Sequence, residues 1–354
     1  PYFVNDDLVV ETGGELVIEP GVTLLFDANT AITVRGELRA EGSKFEPISM
    51  MSGAGEMWGG VVFENTLEDN VLKCVNMYNS GSEGSSIDVE SSKLMVDGCG
   101  FVNCSGTLIN ADDPSVVVRG CEFDSFGRAV YAENLSGTGY FVLEDNIFDG
   151  GGGGDVVKLV NADSQSGPVY QVLDNVFING SDEGVDLDGG DAWIEGNRFE
   201  GFYRDSDPEV STTSNAVAAG YGVGKSTDVT VVRNLFIGND YGICVKDGST
   251  GYIVHNTFYD NKNAAIQLNE YSNGSLKSPA GGMRVEANIF VDNNSPFRWL
   301  ESPGYSPVDV DLEDNLIGEE YHYLGAGNLD ARPVFEEDYR LADVSAGKGM
   351  GLFG

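Results

Sequence analysis

The sequence is poor in basic side chains: its 354 residues contain 20 Lys and Arg against 57 Asp and Glu, for a formal net charge of −37. A negative field of this size repels nucleic acids and anionic membranes, so neither is an expected partner. It also opposes compaction unless salt or bound cations screen it, and divalent cations would do so. The same acids are compatible with a solvated surface that keeps the protein soluble, and that interpretation stays open.

Other scarce features narrow the chemistry further. No apolar run is long enough to cross a bilayer, so membrane insertion is not expected. The two histidines, His255 and His322, make histidine-based acid–base catalysis and histidine-rich metal sites improbable. Five cysteines are an odd number, which excludes a complete disulfide framework. The 11 prolines stand against 48 glycines, a ratio that favours many tight turns over disorder.

An internal repeat organises the chain. A short strand pattern followed by Asn-x-Phe recurs as DNIF (145–148), DNVF (174–177), GNRF (196–199), RNLF (233–236), HNTF (255–258) and ANIF (287–290), with DNLI (314–317) as a worn copy. Earlier copies, GCGF and GCEF, carry Cys99 and Cys121 in the Asn position. The shortest spacing, 22 residues, occurs three times, and longer intervals are interpreted as loop insertions.

A period of 22 residues with short strands and no helical pattern predicts one turn of a right-handed parallel β-helix. We therefore expect an all-β single-stranded β-solenoid of about eleven or twelve coils. The asparagines should form a hydrogen-bonded ladder, continued by two buried thiols, and the phenylalanines should stack inside. A leucine-rich repeat, the alternative at this period, needs a Leu-x-x-Leu-x-Leu pattern that is missing here. The expected organisation is one domain over 1–354, with N-terminal coils at 1–65, regular coils at 66–317 and a closing segment at 318–354.

Three stretches resemble a known kind of domain. The run EPGVTLLFD…ITVRGELRAEG…WGGVVFEN resembles the opening coils of right-handed β-helix domains in secreted prokaryotic proteins, and ARPVFEEDYRLADVSAGKGMG (331–351) resembles their closing segment. The middle is similar to the β-helix portion of large surface proteins that also carry lamin-tail and CotH-type kinase domains. The resemblance implies an extracellular location and a fold shared with the pectate-lyase superfamily. The resemblance supplies no catalytic motif that can be assigned to residues of this sequence, and a shared fold alone does not establish a shared function.

Stacking the strands that follow each Asn-x-Phe predicts one chemically rich face, with Asp186 and Asp188 on the same side of their strand. Its first outward column contains Lys158, Asp186, Ala218, Cys244 and Gln267, its second contains Val160, Asp188, Gly220, Lys246 and Asn269, and Asp155, Glu183, Asn215 and Tyr241 precede them. Since Ala218 and Gly220 are small, we expect a shallow ligand groove lined by Asp155, Glu183, Asn215, Tyr241 and Gln267.

The acids of this face are a candidate Ca²⁺ site. Ca²⁺ takes six to eight oxygen ligands, and carboxylates beside a glycine-rich turn supply them. The predicted ligands are Asp182, Asp186 and Asp188, joined by Asp205 and Asp207 from the long insertion at 203–214. Screened surface acids remain the alternative.

Two enzymatic interpretations stay open. A Ca²⁺-dependent polysaccharide lyase would use Lys158 or Lys246 as the base, although surrounding carboxylates push a lysine pKa upward. A glycoside hydrolase would pair the carboxylates of Asp182, Asp186 and Asp188, a weak signal because any D-x-D on a strand gives a similar separation. Cys244 beside acids is disfavoured as a nucleophile.

The preferred hypothesis is an extracellular surface module, stabilised by Ca²⁺, that binds or scaffolds a polysaccharide or cell-surface glycan. The alternative is a Ca²⁺-dependent polysaccharide lyase or glycoside hydrolase acting on the 155–269 face. Because the chain starts at Pro1 without a signal peptide and neither end shows a capping pattern, we expect either flanking domains of a longer chain or end-to-end self-association.

Overall fold

The computed structural model describes residues 1–53, 55–124, 126–150, 154–204, 214–272, 275–300, 308–318 and 325–349. The chain divides into two compact units, Pro1–Val176 and Phe177–Gly354. In both units short parallel strands wind through three sheets, named A, B and C in the order in which each turn visits them. The all-β parallel β-solenoid predicted from the repeat is confirmed, with about 11 turns. Among the described residues, the one helical element is a 3₁₀ turn at Glu337–Tyr339.

The first unit repeats the A, B, C order from its first residues. Sheet A contains Tyr2–Val4, Thr23–Phe26, Ile48–Ser52, Val75–Tyr78, Gly100–Val102, Glu122–Asp124 and Ile147–Asp149. Sheet B contains Leu8–Val10, Ala31–Val34, Gly60–Glu64, Ser85–Glu90, Thr107–Asp112, Arg128–Glu133 and Val157–Ala162. Sheet C contains Glu15–Ile18, Glu37–Glu41, Asn70–Lys73, Lys93–Asp97, Ser115–Arg119, Tyr140–Glu144 and Tyr170–Leu173.

The second unit follows the strand Val176–Ile178, which lies at the division between the units. Sheet A contains Arg198–Glu200, Leu235–Ile237, Thr257–Tyr259, Ile289–Val291, Leu316–Ile317 and Leu329–Asp330. Sheet B contains Val185–Gly190, Asn215–Gly220, Tyr241–Val245, Ala264–Gln267 and Phe297–Arg298. Sheet C contains Ala192–Glu195, Asp228–Val232, Thr250–Val254, Gly282–Glu286 and Val310–Glu313. An antiparallel hairpin, Tyr271–Ser272 with Ser275–Leu276, is inserted after the fourth sheet B strand.

A left-handed residue at each corner explains the position before the ladder asparagine. Arg233, His255 and Ala287 have φ values of 54°, 58° and 53°, and each directly follows a sheet C strand. The turn from sheet C into sheet A therefore needs a residue that tolerates positive φ, and Gly or Asp occupies several equivalent corners. His255 is accordingly a corner residue.

The asparagine ladder is present and runs through buried positions. In the second unit Asn256 illustrates it: its Nδ2 donates to Val231 O at 2.8 Å and to Asn288 Oδ1 at 3.0 Å, while its Oδ1 accepts from the Asn234 backbone N–H at 2.9 Å. The same contacts join Asn197 to Asn234, Asn288 to Asn315 and, one turn beyond the predicted end, Asn315 to Asn328. Each asparagine thus bonds to the turn before it and to the turn after it.

In the first unit the two predicted thiols continue the ladder. The backbone N–H of Cys99 donates to Cys121 Sγ at 3.3 Å, and the N–H of Cys121 donates to Asn146 Oδ1 at 3.0 Å. Both side chains are buried, and burial raises the pKa of the Cys99 thiol. They are structural, as expected.

The phenylalanines two residues further on stack inside each unit. In the second unit the ring centroids of Phe199, Phe236, Phe258 and Phe290 are separated by 5.1, 4.8 and 5.0 Å along the column, with nearly parallel rings. Phe101, Phe123 and Phe148 stack likewise in the first unit. A second asparagine ladder, Asn239 to Asn261 to Asn293, was not predicted.

Removing one rung of the ladder should destabilise the fold. Asn256→Ala leaves buried N–H and C=O groups without partners, and at about 1–3 kcal/mol for each orphaned group we expect a loss of about 3 kcal/mol or more. Urea unfolding of Asn256→Ala measures it, with the exposed Asn5→Ala as the control. Equal unfolding midpoints for the two variants would contradict a stabilising ladder.

Candidate functional site

The predicted register of the sheet B face is confirmed within the second unit. Asp186 pairs with Ala218, Ala218 with Cys244, and Cys244 with Gln267. Residues from four successive turns therefore stand side by side, because identical turns stack in register.

The expectation of an open surface column was wrong, since the outward side of these strands is covered. Asp186 is 8% exposed, Gln267 is 1% exposed and Cys244 is fully buried. One covering segment comes from the insertion that follows Ala264–Gln267, the fourth sheet B strand of the second unit. The Gly248 N–H donates to Pro279 O at 2.7 Å, and the backbones of Lys246 and Pro279 form an isolated antiparallel β-bridge. These polar side chains lie outside the solenoid core yet away from bulk water.

Four side chains from different turns meet on this face, and we call Glu183, Asn215, Lys246 and Glu270 the sheet B cluster. Asn215 Nδ2 donates to Glu183 Oε1 at 3.1 Å and to Glu270 Oε1 at 3.2 Å. Lys246 Nζ forms an ion pair with Glu270 Oε2. The amide of Asn215 thus bridges two buried carboxylates, and the ammonium group of Lys246 balances one of them.

A glycine makes room for the lysine. A Cβ at Gly220 would lie 3.2 Å from Lys246 Cε and 3.7 Å from Asp188 Oδ1, so the lysine side chain passes over this position beside Asp188. Asp188 and Gly220 pair in register, as predicted. The small residue therefore serves the packing of Lys246, where an open groove was expected.

Within the sheet B cluster the pKa values of Glu183 and Lys246 are both raised, which favours a neutral Glu183 and a charged Lys246. Burial, followed by the charge of Asp186 and a hydrogen bond with Asp182, raises the pKa of Glu183 well above its ordinary value, and Lys246 opposes this only in part. Burial acts to lower the pKa of Lys246, but the charge of Glu270 leads the effects that outweigh it, and the net direction is upward. Glu183 is thus disposed to keep a proton, and Lys246 stays charged.

Three buried oxygen atoms near the cluster have no hydrogen-bond partner in the described structure: Asn215 Oδ1, Tyr241 Oη and Gln267 Oε1. Asn215 and Tyr241 pair in register on adjacent turns, and Gln267 lies one turn further. Burial raises the pKa of Tyr241, so its hydroxyl stays protonated. Nearly all buried polar atoms in proteins are paired with protein groups or water, so these three oxygens are the candidate contacts on this face for water or another polar molecule.

Asp182 is held at the edge of the same region. Its Oδ1 lies 3.2 Å from Arg204 Nη2, and its backbone carbonyl accepts from Ser214 Oγ at 2.6 Å. The backbone N–H of Arg204 in turn donates to the buried Asp240 at 2.9 Å. Asp182 and Asp186 are close enough to Glu183 for both to act on its pKa, after the larger effect of burial. Asp205 and Asp207 lie outside the described residues.

The remaining predicted residues lie in the first unit. Lys158 Nζ is 3.9 Å from Asp155 Oδ2, and Arg128 Nη2 is 3.1 Å from the same oxygen. Asp155 therefore balances two cations there. Cys244 is excluded as a nucleophile more firmly than before, because burial raises the pKa of its thiol well above the ordinary value.

Sequence reasoning missed Glu270 and Asp240. Glu270 directly follows Asn269, the last residue of the predicted second column, so extending that alignment by one position would have found it. Its pairing with Lys246 depends on the course of the insertion, which has no repeat to predict it.

The comparisons with known proteins agree with this architecture. The family model described as "Right handed beta helix region" matches residues 40–199 and 160–304, so the chain belongs to that family. No curated protein matches the sequence. None of the described helices is long and apolar enough to cross a membrane.

Solved structures are similar in fold at low identity. A mannuronic acid specific polysaccharide family 6 lyase from human gut microbiota is 13% identical with a TM-score of 0.54, over 92% of this chain and 82% of that one. A mutant of the family 6 alginate lyase AlyGC is 14% identical with a TM-score of 0.48, over 98% of this chain and 56% of that one, so this chain spans about half its length. PfbA, a surface adhesin of Streptococcus pneumoniae, is 12% identical with a TM-score of 0.37, over 92% and 82%.

The raised pKa of Glu183 predicts a pH dependence of stability. The folded chain binds this proton more tightly than the unfolded chain, so the contribution is fully present below about pH 4.5 and is lost as the pH rises through the folded pKa. Glu183→Gln, which mimics the protonated form, should remove that loss. We expect its urea midpoint, relative to the unaltered chain, to increase from pH 4 to pH 8.

The matched control is Glu200→Gln, a partly exposed carboxylate in the same unit, which should show no such gain at high pH. A difference between Glu183→Gln and the unaltered chain that stays constant with pH would contradict the protonation argued for Glu183.

Proposed function

We propose that this chain is an extracellular β-helix module that binds a polysaccharide on sheet B of the second unit. The observation that carries the proposal is the set of orphaned oxygens, Asn215 Oδ1, Tyr241 Oη and Gln267 Oε1, beside the buried sheet B cluster. Amide oxygens accept hydrogen bonds from sugar hydroxyls, and a tyrosine hydroxyl both donates and accepts. A sugar chain offers such groups at regular intervals, as the stacked turns do.

Other observations support a carbohydrate ligand. The solvated acids and the net charge of −37 disfavour nucleic acid and anionic membranes. The fold neighbour from human gut microbiota is specific for mannuronic acid, and the resemblance of this sequence to secreted β-helix domains supports an extracellular location. Because the three orphaned oxygens are buried in the ligand-free chain, a sugar reaches them only when overlying atoms move.

A second candidate, hydrolysis of the bound glycan, has one observation in its favour. A raised pKa at Glu183 beside Asp186 is the arrangement in which one carboxyl group donates a proton while another stays ionised. A lyase is less favoured, because the pKa of Lys246 is raised and Glu270 holds its ammonium group. Such a lysine is a poor base at neutral pH.

Removing one hydroxyl tests the binding proposal. Tyr241→Phe deletes an oxygen that has no protein partner, so the melting temperature should stay equal or rise, while affinity for the bound polysaccharide should fall about tenfold, the equivalent of one hydrogen bond. A panel of neutral and acidic polysaccharides screened by affinity electrophoresis identifies the ligand, and calorimetry compares the variants.

The matched control is Tyr170→Phe, whose hydroxyl donates to Val160 O at 2.7 Å. It should lower stability and leave binding unchanged. Failure of every polysaccharide to bind, or equal affinity in Tyr241→Phe, would rule out the proposed site. Reducing ends and ultraviolet absorbance followed in the same mixtures detect turnover, and turnover lost in Glu183→Gln would favour the enzymatic candidate.

We also propose that Ca²⁺ stabilises the chain through Asp182, Asp186 and Asp188. The support is that Asp182, Asp186 and Asp188 lie close together in sequence and that Asp186 and Asp182, after burial, contribute to the raised pKa of Glu183. At constant ionic strength, millimolar Ca²⁺ should raise the melting temperature relative to chelator. At a Ca²⁺ concentration 100-fold above the dissociation constant, the free energy of unfolding should increase by about 2.7 kcal/mol. Asp186→Asn should lose most of this gain. An unchanged melting temperature would remove Ca²⁺ from the account.

A further inference from the structure

Sheet C of the second unit carries an outward column with two aromatic residues. Trp193 pairs with Thr230, and Thr230 pairs with Tyr252. The three side chains therefore stand on consecutive turns, with Trp193 and Tyr252 about 9.6 Å apart at twice the ~4.8 Å strand spacing. This column belongs to a different sheet from the sheet B cluster.

The tryptophan is exposed and held in place. Trp193 is 41% exposed, whereas Trp58 is fully buried. Its indole N–H donates to Glu195 Oε2 at 2.6 Å, and Glu195 is in turn ion-paired with Arg233. Since Glu195 lies two residues further on the same strand, this bond keeps the ring along its strand. A fixed aromatic face meets a ligand with little loss of side-chain entropy.

On the next turn Arg284 continues the column, and its positive charge is paired with glutamates. The guanidinium of Arg284 lies 5.7 Å from the centre of the Tyr252 ring, and it pairs with Glu286 at 2.8 Å and with Glu313 at 3.5 Å. Tyr252 Oη also lies 3.4 Å from Glu286 Oε2. These contacts orient the Tyr252 ring. Arg233 and Arg284, which flank the column, are both already paired with glutamates.

We propose that Trp193, Thr230 and Tyr252 form a second glycan-binding surface, which takes a linear neutral polysaccharide of pyranose units. The apolar C–H face of a pyranose ring packs on an aromatic ring, while its hydroxyl groups reach Thr230 and the flanking ion pairs. The separation of the two backbone positions is close to the length of two β-1,4-linked pyranoses. One chain therefore contacts both rings, with the intervening residue over Thr230.

The charge of the chain favours this occupant over others. A polyuronate or a second copy of this chain brings negative charge to a protein of net charge −37, and Arg233 and Arg284 are already neutralised. A neutral sugar chain is not repelled by the negative charge of this protein. The surface lies apart from the orphaned oxygens, so it stands or falls independently of the site on sheet B.

Calorimetry with cellohexaose, mannohexaose and xylohexaose, which are all β-1,4-linked, tests the proposal on the full chain. We expect at least one hexaose to bind, and expect Trp193→Ala and Tyr252→Ala each to lower its affinity about tenfold or more. Tyr221→Ala, an exposed tyrosine outside the column, is the matched control and should bind as the unaltered chain does. Because Trp193 is exposed, melting temperatures should stay close to that of the unaltered chain.

The outcomes separate the two sites. A loss of hexaose binding in Trp193→Ala, retained in Tyr241→Phe, supports a surface on sheet C. Binding lost in Tyr241→Phe and retained in Trp193→Ala overturns it, as does a failure of all three hexaoses to bind. An affinity in the Trp193→Ala, Tyr252→Ala double variant within about twofold of the unaltered chain overturns it as well.

Discussion

The hydrogen bond between the ladder asparagines of successive turns is the interaction on which the rest depends. A corner with a left-handed residue leaves backbone groups that no strand can pair, and the amide of an asparagine such as Asn234 or Asn256 satisfies groups of its own corner and of the preceding one. The same amide bonds to the asparagine of the next turn. Because the turns that contain a ladder asparagine make the same bonds, those turns stack in register. The stacked phenylalanines then exclude water from the interior of each unit.

In-register stacking explains how a site arises from residues distant in sequence. Asn215 contacts Glu183 across 32 residues and Glu270 across 55, since each turn contributes one position to the same face. Burying two carboxyl groups and an ammonium group together costs free energy, which the bridging amide and the lysine–glutamate pair offset. Burying the nearby orphaned oxygens without hydrogen-bond partners also costs free energy, and such unsatisfied groups are expected where a ligand binds.

The repeat predicted what the ladder controls, and little else. The Asn and Phe columns, the register from Asp186 to Gln267 and the corner role of His255 all follow from one period of Asn-x-Phe. Burial of that face, the pairing of Lys246 with Glu270 and the protonation of Glu183 did not follow, because they depend on insertions that lie outside the repeat. The alignment of Trp193 with Tyr252 also follows from the repeat, because each lies four positions before a ladder asparagine (Asn197 and Asn256), but the exposure of Trp193 does not follow from it.

The most direct test of the central claim is a crystal structure of the chain with an oligosaccharide of the polysaccharide that it binds. Sugar hydroxyl groups should lie within hydrogen-bond distance of Asn215 Oδ1, Tyr241 Oη and Gln267 Oε1, the three oxygens that lack partners among the described residues. A complex in which the sugar lies elsewhere, while ordered water or protein groups pair all three oxygens, would contradict it.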